Sequence, residues 1–435
     1  MENSFSTFCG QFEECDDWKL VMRSQMDAEN KTEMSFICFG GEDWWYHNRA
    51  HIDMQLMRRF SRIGTALYVN SIVMRKPNIG DRKGFTEKLV RKTKSILKGL
   101  RQSGVGFWVY SPYTLPVQHI SWARPFNEAI LRYQIRRITR KLRMMAPVMW
   151  VACPPACDAA IAMKRGKLVY QRTDRYEDDP HVDRETVLNY DRKLKANADM
   201  TVYVNQSLYE EEADQCKNAF FLDHGVDYEM FTSAENNRDV PAEIANIRKP
   251  VVGYFGVMAD HKFDVEFVSK VADLLPEFSF VFIGSVSQES REMFARDNIH
   301  IIPKQPYERI PHFGKCFDVA VLPWRINKWT EAANPIKLKE YLALGKPIVS
   351  TPAFTELQSY LDIVYEAATP EDFARSIKKA HSENNAELVR KRRERVAQSS
   401  WDSKAELVLR TLFAGQEFEL KMITDALKRD GADGC

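Results

Sequence analysis

The stretch NPIKLKEYLALGKPIVST, residues 334–351, sets the reading of this chain. Asn334 is a good helix N-cap, and Pro335 suits the first helical position, where an N–H would have no partner anyway. Leu338, Tyr341 and Leu342 fall on one face at helical spacing. Gly345 ends the helix, and Pro347 opens the apolar strand after it. The spacing therefore predicts a helix over residues 335–344 leading straight into a buried strand at 347–349. Lys337 is the odd residue, because a cation in the first turn opposes the helix macrodipole. An anion at that end reverses the sign, since free backbone N–H groups, the dipole and the ammonium then converge on it. Glu340, three residues on, shares the face of Lys337, where its carboxylate could accept hydrogen bonds from ribose hydroxyls. A solvated Lys–Glu pair is the other reading of the same two residues.

The helix–strand unit recurs outward in both directions. Upstream, 251–255, 280–283, 299–302 and 319–322 are continuous apolar runs, with a helical pattern at 264–275. The N-terminal half repeats the theme with strands at 34–39, 66–69, 106–110, 149–152, 168–170 and 200–204 and a helix through 53–60. Strands that are apolar on both faces and alternate with helices make parallel sheets covered on both sides. The expected class is α/β, with two doubly wound domains facing a cleft. Ligands in such sheets sit beyond the carboxyl ends of the strands. The expected boundaries are a tail at 1–33, an N-terminal domain at 34–235, a linker at 236–250, a C-terminal domain at 251–385 and closing helices at 386–435. Residues 401–413 are apolar enough to pack back on the N-terminal domain.

The 435 residues, 44% hydrophobic and 28% charged, suit two ordinary globular domains. A net charge of +2 makes no global case for nucleic acid, and no recognition motif accompanies the local basic runs. The eight cysteines show neither a disulfide framework nor zinc-site spacing. Residues 1–33 are polar without an apolar run, and no stretch approaches the ~18 apolar residues of a membrane span. A cytoplasmic protein without a metal is expected.

Several motifs share one order with residues 334–351. They are VVGYFGVMAD (251–260), FVFIGSV (280–286), PYERIP (306–311) and FDVAVLPW (317–324). Together they resemble the C-terminal domain of the GT-B superfamily, especially the glycosyltransferases of family 4 (group 1) and the related glucuronosyltransferases of exopolysaccharide synthesis. The resemblance implies two Rossmann-like domains and transfer of a sugar from a nucleoside diphosphate sugar, a UDP-sugar foremost. It implies that Gly256 lets backbone approach the donor phosphates, and that Pro306 and Tyr307 lie beside the base. It further implies that Asn334, Pro335 and Lys337 hold the diphosphate and Glu340 the ribose. Gly256 as a turn glycine and Tyr307 as loop packing remain the alternatives. The chain departs from the family where many members carry a second glutamate eight positions before Glu340, since Ala332 stands there beside Glu331. The basic residue after the first strand is met only by His261 or Lys262. The NPxKxxEY form resembles the branch that handles lipid-linked acceptors.

In the N-terminal half, LVYQRTDRYEDD (168–179) is similar to the family stretch where a strand ends in an aspartate facing the cleft. Asp174 is the candidate base, since an inverting transfer needs a carboxylate to take the acceptor hydroxyl proton. The alternatives for Asp174 are a helix cap or a pair with Arg172 or Arg175. Gly41 and Arg49 flank the loop after the first strand, where an acceptor could approach. Two basic amphipathic stretches, 88–101 and 130–143, fit an anionic membrane surface or a lipid-diphosphate acceptor, with Arg136 and Arg140 on the second. The expected partners are a nucleotide-sugar donor, a lipid-linked or carbohydrate acceptor and the inner membrane face. Nucleic acid is not among them. A nucleotide-sugar epimerase and a non-catalytic partner subunit are the rival readings on the same scaffold.

Overall fold

The computed structural model describes residues 34–46, 50–72, 82–114, 124–178, 182–237, 239–331, 333–383 and 385–414. The expected N-terminal tail at 1–33 lies outside the described residues, as does the end of the closing segment from 415.

Two sheets carry the chain. The first runs through β1 (Ser35–Phe39), β2 (Thr65–Val69), β3 (Leu100–Gln102), β4 (Trp108–Tyr110), β5 (Val148–Val151), β6 (Leu168–Arg172), β7 (Met200–Tyr203) and β8 (Ala219–Phe221). Its spatial order is β3-β4-β2-β1-β5-β6-β7-β8. All its pairings are parallel except β3 with β4. The second contains β9 (Val251–Phe255), β10 (Ser279–Ile283), β11 (Ile299–Ile302), β12 (Val319–Leu322), β13 (Ile348–Ser350) and β14 (Tyr365–Glu366), in the order β11-β10-β9-β12-β13-β14. It is parallel throughout. Strands β1, β5, β9, β10 and β12 are buried at every position, as their unbroken apolar runs require.

Each sheet reverses its strand order at one place: beside β1 in the first, where β2 lies on one side and β5 on the other, and beside β9 in the second, between β10 and β12. A crevice opens beyond the strand ends at such switch points. The loops leaving β1 and β9 therefore carry the first candidates for a site.

Five helices matter below: α1 (Ile52–Ile63), α2 (Arg82–Leu97), α3 (Arg124–Lys141), α4 (Ile336–Ala343) and α5 (Trp401–Leu412). Helix α5 packs back on α1. Trp401, Ala405, Val408 and Leu409 are buried in the same core as Phe36, Phe60 and Trp150 of the first sheet. The seam is charged as well, with the buried Arg59 of α1 reaching Asp402 at 3.4 Å and Asp227 at 3.3 Å.

The structure corrects the sequence reading at three short edge strands and one helix start. Strands β3, β8 and β14 are absent from that reading. Each has only two or three residues; β3 and β14 include polar positions, and β8 (AFF) is apolar but short. Helix α4 begins at Ile336, with Pro335 in the capping position in extended backbone and without a side-chain cap. Asn334 thus does not cap the helix, and its Oδ1 is buried without a hydrogen-bond partner.

Candidate functional site

A cavity of about 570 Å³ opens at the two switch points and takes its lining from both sheets. From the second sheet come Gly256 and Lys262 after β9, Ser285 after β10, Pro306 and Tyr307 after β11, and Lys337 and Glu340 on α4. From the first sheet come Trp44, Trp45, Tyr46 and His51, between β1 and α1. Five residues expected from the sequence (Gly256, Pro306, Tyr307, Lys337 and Glu340) are thereby brought into one space. Asn334 and Pro335 stand at the entry of α4, just behind that lining.

The strand ends explain how the backbone makes room. Gly256 has φ +143° and Gly284 φ +150°, conformations that L side chains rarely adopt. A Cβ on Gly284 would lie 1.9 Å from the Gly256 carbonyl oxygen, so the two loops stack backbone on backbone. A Cβ on Gly256 would lie 2.1 Å from Lys337 Cε and 3.0 Å from its Nζ. Gly256 is therefore more than a turn glycine: its missing side chain is the space through which Lys337 crosses the strand end.

The cavity gathers positive charge under strain. Burial pulls the Lys337 ammonium below the usual lysine range, with Glu340 opposing. Burial and then the neighbouring Lys337 bring Lys262 down to about 6, against the pull of Asp174. The Lys262 ammonium sits 3.6 Å from the centroid of the Trp324 ring. Burial raises Glu340 to about 7, while Lys337 and Tyr307 draw it down and Asp227 adds to the rise. The Tyr307 hydroxyl is buried against this carboxyl without a hydrogen bond of standard geometry. Lys262 and Lys337 line the same cavity, and an anion there favours the charged form of each buried lysine. Arrangements of this kind take phosphates, and α4 adds its N-terminal dipole to them.

Asp174 lies beyond the end of β6. The two arginines pair with other carboxylates. Arg172 is fully buried and meets Glu177 at 2.7 Å, Glu212 at 3.1 Å and Asp191 at 3.4 Å, and Arg175 pairs with Glu211. Arg172 Nη1 donates instead to the Asp174 backbone carbonyl at 3.0 Å. The carboxylate stays outside the ion-paired cluster. It is solvent-exposed, yet the cleft walls crowd it and raise it above the usual carboxylate range, while Arg172, His51 and Lys262 pull the other way. Asp174 thus faces groups of both halves.

The remaining expected residues lie apart. The Gly41 N–H donates to Asp53 Oδ2 at 2.9 Å, behind the cavity wall. Arg136 and Arg140 are exposed on α3, away from the cavity. Arg49 and Ala332 fall outside the described residues. Among the described residues, no group of three or more His, Cys, Asp or Glu is placed to hold a metal ion. No helix among them is long and apolar enough to cross a membrane.

Several neighbours are not read as site residues from the sequence, where HGVDYEMF (224–231) reads as shaping a turn. Lys339, on the face of α4 away from the cavity, is fully buried; it meets Asp223 at 2.5 Å and Glu356 at 3.3 Å and donates to the His224 carbonyl at 2.9 Å. It ties the helix bearing Lys337 to the chain leaving β8. His224 itself has a buried Nδ1 without a partner, and burial with nearby Lys339 and His51 brings it down to about 3. Asp227 pairs with Arg58 and Arg59 of α1. Lys339 reaches Asp223 across 116 positions, and Asp227 reaches Arg58 and Arg59 across 169 and 168, so no local pattern marks these pairings. Gly284 did have a signal, the glycine that follows the apolar run in FVFIGSV.

Residues 249–383 match the family of group 1 glycosyl transferases. Over 188 residues the chain is 28% identical to TuaH of Bacillus subtilis (strain 168), a protein named for glycosyl transfer in teichuronic acid biosynthesis. That match takes in 41% of this chain and 46% of that one, so it spans under half of the relative. Among solved structures, the sucrose-phosphate synthase (tll1590) from Thermosynechococcus elongatus superposes with a TM-score of 0.61 at 13% identity, covering 89% of this chain and 99% of that one. Anabaena Alr3699/HepE, solved in complex with UDP and glucose, gives a TM-score of 0.58 at 11% identity over 88% of this chain and 99% of that one. At such identities the likeness is one of fold, and the fold is GT-B: two Rossmann-like sheets facing a cleft.

Proposed function

We propose that this chain transfers a sugar from a nucleoside diphosphate sugar, UDP-sugar foremost, to a lipid-linked or polysaccharide acceptor. One observation carries the reading: Lys262 and Lys337 line one cavity with Gly256 at the switch point of the second sheet, where a diphosphate favours the charged form of both. Lys337 and the entry of α4 at Asn334 and Pro335 hold the diphosphate, and Glu340 accepts from the ribose hydroxyls. Pro306 and Tyr307 lie beside the base. The scissile bond then lies between the lysine pair and the first sheet, where Asp174 stands.

The chemistry follows from those positions. As the bond to the diphosphate breaks, negative charge grows on the leaving oxygen, and the two ammonium groups stabilise it most at that moment. In an inverting transfer Asp174 takes the acceptor hydroxyl proton, and its raised affinity for protons suits that task. A retaining transfer needs no enzymatic base. UDP is the favoured nucleotide because the solved relative HepE holds UDP in the same fold. TuaH, named for teichuronic acid biosynthesis, supports placement near the exopolysaccharide branch.

The acceptor side is the first sheet. Helix α3 exposes Arg136 and Arg140 beside Phe126 and Tyr133, which are 57% and 68% exposed. Helix α2 exposes Leu97 at 78%, near Arg91 and Lys94. Basic side chains interleaved with exposed apolar ones suit an anionic lipid surface. This supports a peripheral protein of the inner membrane face with residues 34–235 as acceptor domain and 251–385 as donor domain.

The test is a transfer assay with radiolabelled UDP-sugars and a synthetic polyprenyl-diphosphate-linked sugar in anionic vesicles. Label passing into the lipid phase, with one UDP released per sugar transferred, is the expected result. Epimerised donor without an acceptor, or no turnover with any UDP-, GDP- or ADP-sugar, would overturn it.

A further inference from the structure

The cavity has a second wall that the donor reading leaves unused. Trp45 and Tyr46 belong to the first sheet, yet they line the same cavity as Pro306 and Tyr307 of the second. Their backbone is held by a buried polar network. The Trp44 N–H donates to Asn70 Oδ1 at 2.9 Å and the Trp45 N–H to Asp43 Oδ1 at 3.0 Å. Asp43 Oδ2 in turn accepts from Ser95 at 2.7 Å, and Asn70 donates to Ser111 at 2.8 Å. Trp44 packs edge-on against Phe107 with ring centroids 4.7 Å apart. The Lys98 ammonium lies 4.9 Å from the Trp45 ring centroid and holds the indole from a further side. Aromatic side chains fixed in this way have little freedom left to lose when a ligand binds.

Trp45 also carries an unanswered donor. Its Nε1–H is buried and has no hydrogen-bond partner. An N–H removed from water without an acceptor is costly, and a ligand carbonyl in the cavity would supply one. A flat aromatic face with an N–H at its rim matches a pyrimidine base, which offers both a π-face and carbonyl acceptors.

We infer that Trp45 and Tyr46 form the second half of a nucleobase clamp, covering a base seated on Pro306 and Tyr307. Nucleotide affinity is then shared between the two halves of the protein rather than residing in the second sheet alone. The inference rests on the donor reading above, and an acceptor sugar ring is the competing occupant of this wall.

Calorimetric titration with UDP and, separately, with inorganic pyrophosphate separates these cases. The proteins are wild type, Trp45→Ala, Trp45→Phe, Tyr46→Ala and Lys337→Ala. Stacking lost to alanine weakens UDP by about tenfold or more in Trp45→Ala. Trp45→Phe keeps the ring and recovers part of that loss, and pyrophosphate binds all three aromatic variants as it binds wild type. Unchanged UDP affinity in Trp45→Ala and Tyr46→Ala, with Lys337→Ala impaired, overturns the clamp, leaves the donor reading standing and gives the wall to the acceptor. Wild type binding neither ligand sinks the donor reading and the clamp together. If Trp45→Ala loses pyrophosphate as well, the fold is damaged, and Trp45→Phe and Tyr46→Ala decide by the same criterion.

Discussion

Replacing Gly256 by alanine tests the link between a backbone conformation and an anion site. The added Cβ would stand 2.1 Å from Lys337 Cε, 3.0 Å from its Nζ and 3.1 Å from the Tyr254 hydroxyl. The lysine tip is flexible and can swing away, so the contact itself is relieved cheaply. The backbone is different: at φ +143° alanine is strained, which costs about 1–3 kcal/mol of native stability. Relief of the contact moves Lys337 off its place at the strand end. Losing one charge-assisted hydrogen bond to a phosphate costs about 1.5–3 kcal/mol, roughly 10- to 150-fold in Kd. Gly256→Ala should therefore bind UDP about tenfold or more weakly and melt earlier. The decisive assay is a double-mutant cycle by calorimetry with Lys337→Ala. Once the lysine is gone, adding Gly256→Ala should change UDP affinity little, because both act through one ammonium. Wild-type affinity in Gly256→Ala, or fully additive losses in the double mutant, would refute the reasoning.

Three further expectations can be checked on the same protein. Lys262, held near 6, is largely neutral at pH 7.5 in the empty site, and a bound diphosphate favours its charged form. UDP-glucose, whose diphosphate does not titrate in this range, should bind wild type with more proton uptake than Lys262→Gln, while Glu340, raised to about 7 and ionised to accept from the ribose, releases protons on binding in both. Titrations in buffers of different ionisation enthalpy read the uptake, and equal uptake in Lys262→Gln would contradict the assignment. Asp174→Asn should keep UDP affinity within about twofold and lower transfer by ~10²–10⁴-fold if the product is inverted; full activity with an inverted product would remove Asp174 as the base. Reversing the charge of Arg136 and Arg140 to glutamate should weaken sedimentation with anionic vesicles by about fivefold or more per site, without altering UDP binding. Unchanged sedimentation would take α3 out of the membrane surface.

What could be read from the sequence divides along physical lines. Strands such as Val251–Phe255 and Val319–Leu322 are buried on both faces, so their apolar runs are local and visible. The same holds for α4, where Leu338, Tyr341 and Leu342 all lie in the core. Lys337, Glu340 and Gly256 were legible because a motif fixes their spacing around a strand end. Tertiary placement was not. Nothing local shows that Trp45 and Tyr46 share a cavity with Tyr307, or that buried Lys339 joins α4 to Asp223 across 116 positions. The helix start at Pro335 slipped by one residue, since Asn334 is as good a cap in sequence as many that do cap. Asp174 shows both sides of the matter. Its position after β6 was readable, but only the structure reveals that Arg172 takes Glu177 and Glu212 and leaves the Asp174 carboxylate to the cleft.

The central claim is that Lys337, at the entry of α4, holds the diphosphate of a nucleotide sugar. A thermal-shift panel of UDP, GDP, ADP and their sugar conjugates on wild type and Lys337→Ala tests it directly. A ligand bound only to the native state stabilises it by about 2.7 kcal/mol at a hundred times its Kd. The account predicts that a nucleotide, UDP foremost, raises the wild-type melting temperature and leaves that of Lys337→Ala nearly unmoved at the same concentration. An equal rise in both proteins, or no rise with any nucleotide, would contradict it.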